Sequence, residues 1–161
     1  MKTLILAGFL ALGQIANATS PIERVVEYTY GQEKNRTPGD ISYYLVEIIV
    51  GSNNTAYITV TDTDTSTVVK RVKKHLSSKT MKKINSSVYL SSVPLVKEDS
   101  TDIGCELYAS RAWYVEKLLV RSKLVMTPMG CWYPNSTYPK SEDGQKVAQD
   151  LKVLLSSLVK F

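Results

Sequence analysis

The sequence predicts an α+β fold, in which an antiparallel sheet of about six strands carries a basic mid-chain helix and a C-terminal amphipathic helix, with one disulfide. Three observations support this class. Several short segments alternate apolar and polar residues, as strands of a half-buried sheet do. Two other segments repeat apolar residues at helical spacing. The 143 residues that follow position 18 fit a single domain, which is predicted to span 19–161.

The first part of the chain predicts three strands. In Ile22–Tyr30 most apolar residues share one parity, which is typical of a strand with one buried face. Tyr43–Val50 is apolar on both parities except at Glu47, which favours a strand in the centre of the sheet. Gly51–Asn54 supplies residues that tolerate the positive φ of a tight turn. Ala56–Thr61 alternates again, so the two segments around this turn predict a hairpin.

The next segment predicts a basic amphipathic helix from about Thr65 to Leu76. It overlaps Asp62–Ser66, a stretch whose side-chain oxygens suit a helix cap. Val69, Val72 and Leu76 then recur at helical spacing, and cations fill most positions between them.

Three further strands are expected after this helix. Val88–Val93 predicts a short strand that Pro94 ends, and Lys97–Asp102 is a charged loop. Ile103–Ala109 alternates and predicts another strand. Ala112–Met126 is ambiguous, because its apolar residues fit both a long strand and a helical stripe. Its β-branched and aromatic residues favour the strand.

The last element is a helix that begins at Ser141. This serine is a preferred cap, and Glu142 and Asp143 suit the positive end of the helix dipole. The apolar stripe consists of Val147, Leu151, Leu154, Leu155 and Leu158. The predicted order of three strands, a helix, three strands and a helix leaves two architectures open. They are a duplicated unit, as in an MHC-like platform, and a single sheet with helices on one face.

The N-terminal residues predict a secretory signal peptide over 1–18. Lys2 provides positive charge, Thr3–Ile15 is apolar and uncharged, and small residues precede a cleavage site after Ala18. The mature chain would begin at Thr19 and be extracellular. No apolar run after this site has the ~20 residues that a transmembrane helix needs.

Asparagine usage supports this secretory route. Five of the six asparagines open an Asn-x-Ser/Thr sequon, far more than chance would place there. One of them, Asn17, belongs to the signal peptide, and Pro38 directly after the Asn35 sequon disfavours that site. The predicted N-glycosylation sites are Asn35, Asn53, Asn85 and Asn135.

The two cysteines predict the disulfide. An exported chain with only two cysteines is expected to pair them, which gives a Cys105–Cys131 bridge. Such a bridge would contribute on the order of 3–4 kcal/mol in the chain-entropy model.

Positive charge is concentrated in one run. The formal net charge is +5, and seven cations with no acid among them fall within the fourteen residues 70–83. Such a run is typical of an anion-binding surface, and the alternative is a solvated helix face without a partner. The cations are Lys70, Arg71, Lys73, Lys74, Lys79, Lys82 and Lys83, and the predicted anion-binding face consists of these residues without Lys79.

No catalytic, metal or cofactor site is predicted. The chain has one histidine, His75, which lies inside the basic run with no carboxylate near it in sequence. The sequence has no Gly-x-Ser-x-Gly elbow and no phosphate-binding glycine loop. It also lacks the Gln-x-Val-x-Gly motif of cystatins and the early Gly-x-Trp of lipocalins.

These observations favour a secreted, non-enzymatic interaction protein with an effector-like or defence-like role. Its partner would be a protein or an anionic glycan or lipid surface, and no DNA is expected. The aromatic residues Trp132, Tyr133 and Tyr138 are the candidate protein-binding surface. Two alternatives remain open. One is a carrier whose cavity for a small hydrophobic ligand is lined by Leu118, Val120 and Leu124. The other is a secreted enzyme whose site the sequence does not reveal.

Overall fold

The computed structural model describes residues 22–34, 42–99, 116–127 and 135–160. Several sequence predictions lie outside these ranges. They are the signal peptide, the glycosylation site at Asn35, the disulfide between Cys105 and Cys131, and the aromatic residues Trp132 and Tyr133. The strand predicted over 103–109 also lies outside them.

Eight strands and two α-helices make up the described residues. The strands are β1 (Arg24–Glu33), β2 (Tyr43–Gly51), β3 (Thr55–Asp62), β4 (Thr67–His75), β5 (Leu95–Asp99), β6 (Lys117–Val120), β7 (Lys123–Met126) and β8 (Asn135–Pro139). The helices are α1 (Ser78–Ser86) and α2 (Glu142–Ser156), and a short 3₁₀ helix spans Val88–Ser92. Six strands form an antiparallel sheet in the order β4-β3-β2-β1-β6-β7, and β5 pairs with β8 in a second, two-stranded sheet. The predicted α+β class and the six-stranded antiparallel sheet are thus confirmed.

The predicted hairpin of β2 and β3 is confirmed, and β2 lies in the interior of the sheet. Ile48 pairs with Ile58 on one side and with Tyr28 on the other, so one row of buried side chains crosses three strands. Asn54 has a φ of 58° in the turn between them, which is the left-handed conformation that asparagine tolerates.

The helix predicted over Thr65–Leu76 is wrong, because these residues form the edge strand β4. Val72 pairs with Ile58 and extends the buried row of the sheet, while Val69 lies at a bulge and is 53% exposed. A helix would place like charges three and four residues apart on one surface, whereas a strand distributes them over two faces. The β-branched residues at the start of the segment also favour a strand. The basic mid-chain helix exists, but it is α1 and begins at Ser78.

The strand predicted over Val88–Val93 is also wrong. The backbone N–H of Leu90 donates to the carbonyl oxygen of Ser87, and the Ser91 hydroxyl donates to that of Val88, so a 3₁₀ turn forms. Leu90 is fully buried and anchors this turn. The segment expected to be a charged loop contains part of β5 instead.

The ambiguous segment over Ala112–Met126 contains two strands rather than one. Arg121 and Ser122 have φ values of 48° and 61°, so a two-residue turn joins β6 to β7. Val120 therefore pairs with Lys123. The preference for strand over helix is confirmed for 117–126, but the single long strand is not.

Both helices contribute to one core on the same face of the sheet. The Ser141 side chain accepts a hydrogen bond from the N–H of Gly144 at 3.2 Å, so the predicted cap of α2 is confirmed. Met81 and Ile84 of α1 and Leu151 and Leu155 of α2 belong to the same buried cluster as the sheet residues. We call this side of the sheet the helix-bearing face and the other side the open face. The symmetric order of two three-stranded halves is wrong, because four strands precede α1. None of the helices in the described ranges is long and apolar enough to cross a membrane.

Candidate functional site

The cations of β4 lie on the free edge of the six-stranded sheet, and we call Lys70, Arg71, Lys73 and Lys74 the basic edge. Among the described strands, β4 pairs only with β3 and is the outermost strand of the sheet. Every residue of β4 is exposed except Val72 and Lys74, which are half-buried. The sheet therefore presents its most basic strand to solvent along the whole length of that strand.

Strand alternation divides the basic edge between two faces. Lys70 and Lys74 share the parity of Val72 and lie on the helix-bearing face. Arg71 and Lys73 lie on the open face, where they pair with Thr59 and Tyr57 of β3. The predicted single face of cations is therefore not observed, since these four side chains lie on both sides of the sheet edge.

The backbone of β4 has hydrogen-bonding groups directed away from the sheet. The N–H of Leu76 donates to the carbonyl oxygen of Asn54 at 2.8 Å, directly opposite in the β3–β4 register. Because hydrogen-bonded pairs alternate in an antiparallel ladder, Val72 and Lys74 bond to β3. The N–H and C=O groups of Arg71, Lys73 and His75 then point outward. Among the described residues, no hydrogen bond to these outward groups is present.

A second set of cations lies on α1, and we call Lys79, Lys82 and Lys83 the α1 lysines. Ser77 caps this helix by accepting a hydrogen bond from the N–H of Thr80 at 3.2 Å. The spacing of three and four residues places the α1 lysines on one exposed side, away from the buried Met81 and Ile84.

None of these seven cations forms an ion pair within the described ranges. Cations elsewhere do form them: Lys34 contacts Asp62 and Asp64, and Lys152 contacts Glu116. The basic edge therefore carries charge that no described residue neutralises through an ion pair. Such charge attracts anions over ~8 Å, the Debye length at physiological salt.

Two members of the basic edge have other contacts. The Lys70 ammonium donates to the backbone carbonyl of Lys160, which ties the end of the chain to β4. The Lys73 ammonium lies 5.8 Å from the centre of the Tyr57 ring, within the range of a cation–π interaction. Neither contact removes the positive charge.

The sequons in the described ranges occupy three separate elements. Asn53 is exposed in the turn between β2 and β3, and Asn85 is exposed in the last turn of α1. Asn135 begins β8 and pairs with the backbone of Asp99. The turn that holds Asn53 also holds Asn54, whose carbonyl bonds Leu76, so this sequon lies beside the C-terminal end of the basic edge.

Tyr138 is the one predicted partner-binding aromatic within the described residues. It is half-buried on β8, and its hydroxyl donates to Glu98 of the neighbouring strand β5. The pKa of Tyr138 is raised above its ordinary value, first by this bond to the Glu98 carboxylate and then by burial. Its polar end is therefore already engaged within the protein.

The residues predicted to line a carrier cavity do not lie together. Leu118 and Val120 are fully buried and belong to the packed core. Leu124 pairs with Leu119 across the hairpin, on the open face, because the two-residue turn reverses the parity. A different concave feature lies between α1 and α2. It is a solvent-open groove of about 510 Å³ with Leu154 and Lys83 among its lining residues.

A partly buried polar cluster, which the sequence does not reveal, joins β1 to α2. The Tyr28 hydroxyl donates to Glu116 at 2.7 Å, and Lys152 forms an ion pair with the same carboxylate oxygen. The Tyr28 ring stacks on Tyr30 with 5.0 Å between centroids. Burial, followed by the Glu116 carboxylate, raises the pKa of Tyr28, so its phenol stays protonated. The cluster thus acts as a hydrogen-bonded tie between elements that are distant in sequence.

His75 ends β4 and is exposed, and no ion pair of its side chain is present in the described ranges. No group of three His, Cys, Asp or Glu side chains within those ranges could hold a metal ion. The chemistry that the described site offers is therefore charge and hydrogen bonding.

Comparison with protein-family models, curated proteins and solved structures gave no match to this chain. Function is therefore inferred from the geometry and charge of the described residues.

Proposed function

We propose that this protein is a secreted, N-glycosylated and non-enzymatic interaction protein that binds an anionic macromolecular partner through its basic edge. The observation that carries the proposal is the position of four cations, which have no ion pair with any described residue, on the outermost strand of the described sheet. The α1 lysines follow the basic edge after only four residues and add to the positive potential. Secretion is supported by the N-terminal residues and the excess of sequons.

Burial and pairing favour the basic edge as the binding region over Tyr138, the described residue of the predicted aromatic surface. Arg71 and Lys73 are exposed and have no carboxylate partner among the described residues. Tyr138, in contrast, is half-buried and bonded to Glu98. Charge that is left unneutralised inside a run of like charges favours an external anion, because like-charge neighbours cost the folded protein stability.

Heparin chromatography tests this proposal, with heparin as a generic polyanion. The test variant is Lys73→Glu/Lys74→Glu, and the matched control is Lys117→Glu/Lys123→Glu. The control lysines are strand residues that are exposed, as Lys73 is, and they lie four and five strands away, about 19–24 Å across the sheet. Both double variants change the net charge equally.

The wild type should be retained at low salt and released steeply as ionic strength rises, because salt screens such attraction. At ~1 kcal/mol per cation near an anionic surface, losing two cations should weaken low-salt binding at least ~30-fold. The control should retain most of the affinity. Circular dichroism should show that all three proteins are folded. Equal losses in the two double variants would mean that net charge, and not the basic edge, determines binding. A wild type that elutes like a neutral protein would contradict the proposal.

A further inference from the structure

We propose that the partner is an extended acidic polypeptide segment, which pairs with β4 as a seventh strand of the sheet. This inference rests on the proposed function and specifies the partner of the same surface. Extended peptides are known to add to exposed sheet edges, where main-chain hydrogen bonds give affinity and side chains give specificity.

The backbone of β4 is suited to such pairing. The N–H and C=O groups of Arg71, Lys73 and His75 point outward, and Lys73 lies in the middle of the three. At ~3.4 Å per residue, alternate residues lie ~6.8 Å apart, which is the repeat of a second antiparallel strand. An incoming strand could therefore bond to all three positions without any change in the β3–β4 register.

The charges on β4 select an acidic segment and reject a second copy of this chain. Like charges directly opposite each other destabilise a strand pair, so antiparallel pairing of two β4 strands would bring cation against cation. Opposite charges in the same positions stabilise the pair. Since the cations flank the backbone on both faces, an extended peptide with acids on successive positions matches them.

The division of the basic-edge cations over two faces of the sheet favours a polypeptide partner over a sulfated glycan. The in-plane row of backbone donors and acceptors lies between Lys70 and Lys74 on one face and Arg71 and Lys73 on the other. A peptide main chain fills that row while its side chains reach both faces. A glycan can neutralise the charges, but it has no regular row of hydrogen-bond donors and acceptors that would match the backbone of β4.

The N-terminal end of β4 sets the polarity of the segment. Val68 and Val69 are 44% and 53% exposed at the bulge, and they precede the basic edge in sequence. In the antiparallel orientation of the rest of the sheet, a docked segment would thus be acidic first and apolar last. The peptide Thr-Glu-Glu-Val-Glu-Glu-Val, acetylated and amidated, follows this register and places its acids opposite Lys74, Lys73, Arg71 and Lys70.

Lysines and bulges on edge strands also protect proteins from aggregation through those edges. Protection alone requires only that β4 rejects other strands, whereas the proposed docking requires that it accepts an acidic one. Peptide binding therefore separates the two roles.

The experiment measures fluorescence anisotropy of the labelled peptide with wild type, Lys73→Ala and Lys73→Pro. Both variants lose the same cation, but only the proline loses the outward N–H. Lys73→Ala should weaken peptide binding several-fold, and Lys73→Pro should weaken it by a further factor of roughly ten, as expected for one hydrogen bond. Heparin retention should be equal in the two variants. A thermal melt should show that both are folded.

A peptide that is N-methylated at the residues opposite Arg71, Lys73 and His75 keeps its acids but cannot form the ladder, and it should bind much more weakly than the parent. Equal affinity of the two variants for the parent peptide would overturn strand addition and leave a charge-only surface. Retention on heparin without peptide binding would also overturn it, while the proposed function would stand. Failure of both ligands would remove both proposals and leave an edge protected against aggregation.

Discussion

Proline substitutions at two adjacent positions of β4 should have very different effects on stability. The backbone N–H of Lys74 bonds to β3, opposite Ala56, whereas that of Lys73 points to solvent. Proline has no N–H, so it is tolerated on an edge strand only where the N–H faces outward.

The expected magnitudes follow from these surroundings. Ala56 is fully buried, so Lys74→Pro removes a ladder bond and leaves a buried carbonyl unsatisfied, at a total cost of ~1–3 kcal/mol. For a chain of this size, that total corresponds to a melting temperature lower by on the order of 10 °C. Lys73→Pro loses only the cation–π contact with Tyr57, so it should lower the free energy of unfolding by at most ~1 kcal/mol.

Thermal unfolding followed by circular dichroism measures this contrast, with Lys73→Ala and Lys74→Ala as controls for the lost side chains. In a helix, each proline would cost ~3 kcal/mol or more. Equal destabilisation by the two prolines would therefore refute the assignment of β4 as an edge strand, and so would a larger effect at Lys73.

Two remaining predictions test the proposed secretion and its covalent modifications. Protein secreted from eukaryotic cells should begin at Thr19 and carry N-glycans at Asn53, Asn85 and Asn135, and intact mass before and after glycosidase treatment measures both; a single unshifted mass would contradict glycosylation. Non-reducing peptide mapping should recover Cys105 and Cys131 in one linked species, and labelling of both as free thiols in the denatured protein would contradict the disulfide.

Local patterns in the sequence predict the elements whose signals are internal to them. The hairpin of β2 and β3 follows from its alternation and from the turn residues around Asn54, and α2 follows from its cap at Ser141. In the hairpin, the alternation of apolar and polar residues is sufficient to predict the strands. In α2, the capping oxygen of Ser141 is sufficient to predict where the helix begins.

The prediction at β4 failed because the apolar residues of this short segment fit both the period of a helix and the alternation of a strand. Val69, Val72 and Leu76 fit a helical stripe, but Val72 packs as part of a sheet row only because Ile58 lies beside it. That partner comes from another strand, and a local pattern does not include it. The same segment has the β-branched residues that favour a strand, so propensity was the signal that could have corrected the helical period.

The candidate site was predictable in composition but not in geometry. The run of seven cations is visible in the sequence, whereas its division between β4 and α1 depends on where the strand ends at His75. The polar cluster of Tyr28 and Glu116 joins residues 88 positions apart, so no local pattern could reveal it.

Residue-resolved amide hydrogen exchange by NMR tests most directly the central claim, that the basic edge lies on the outermost strand of the described sheet. In the free protein the amides of Val72 and Lys74 should exchange slowly, because they bond to β3, while those of Arg71, Lys73 and His75 should exchange rapidly. Addition of the acidic peptide should slow these three amides, and heparin should not. Uniform protection across 70–75 in the free protein, as in a helix, would contradict the claim.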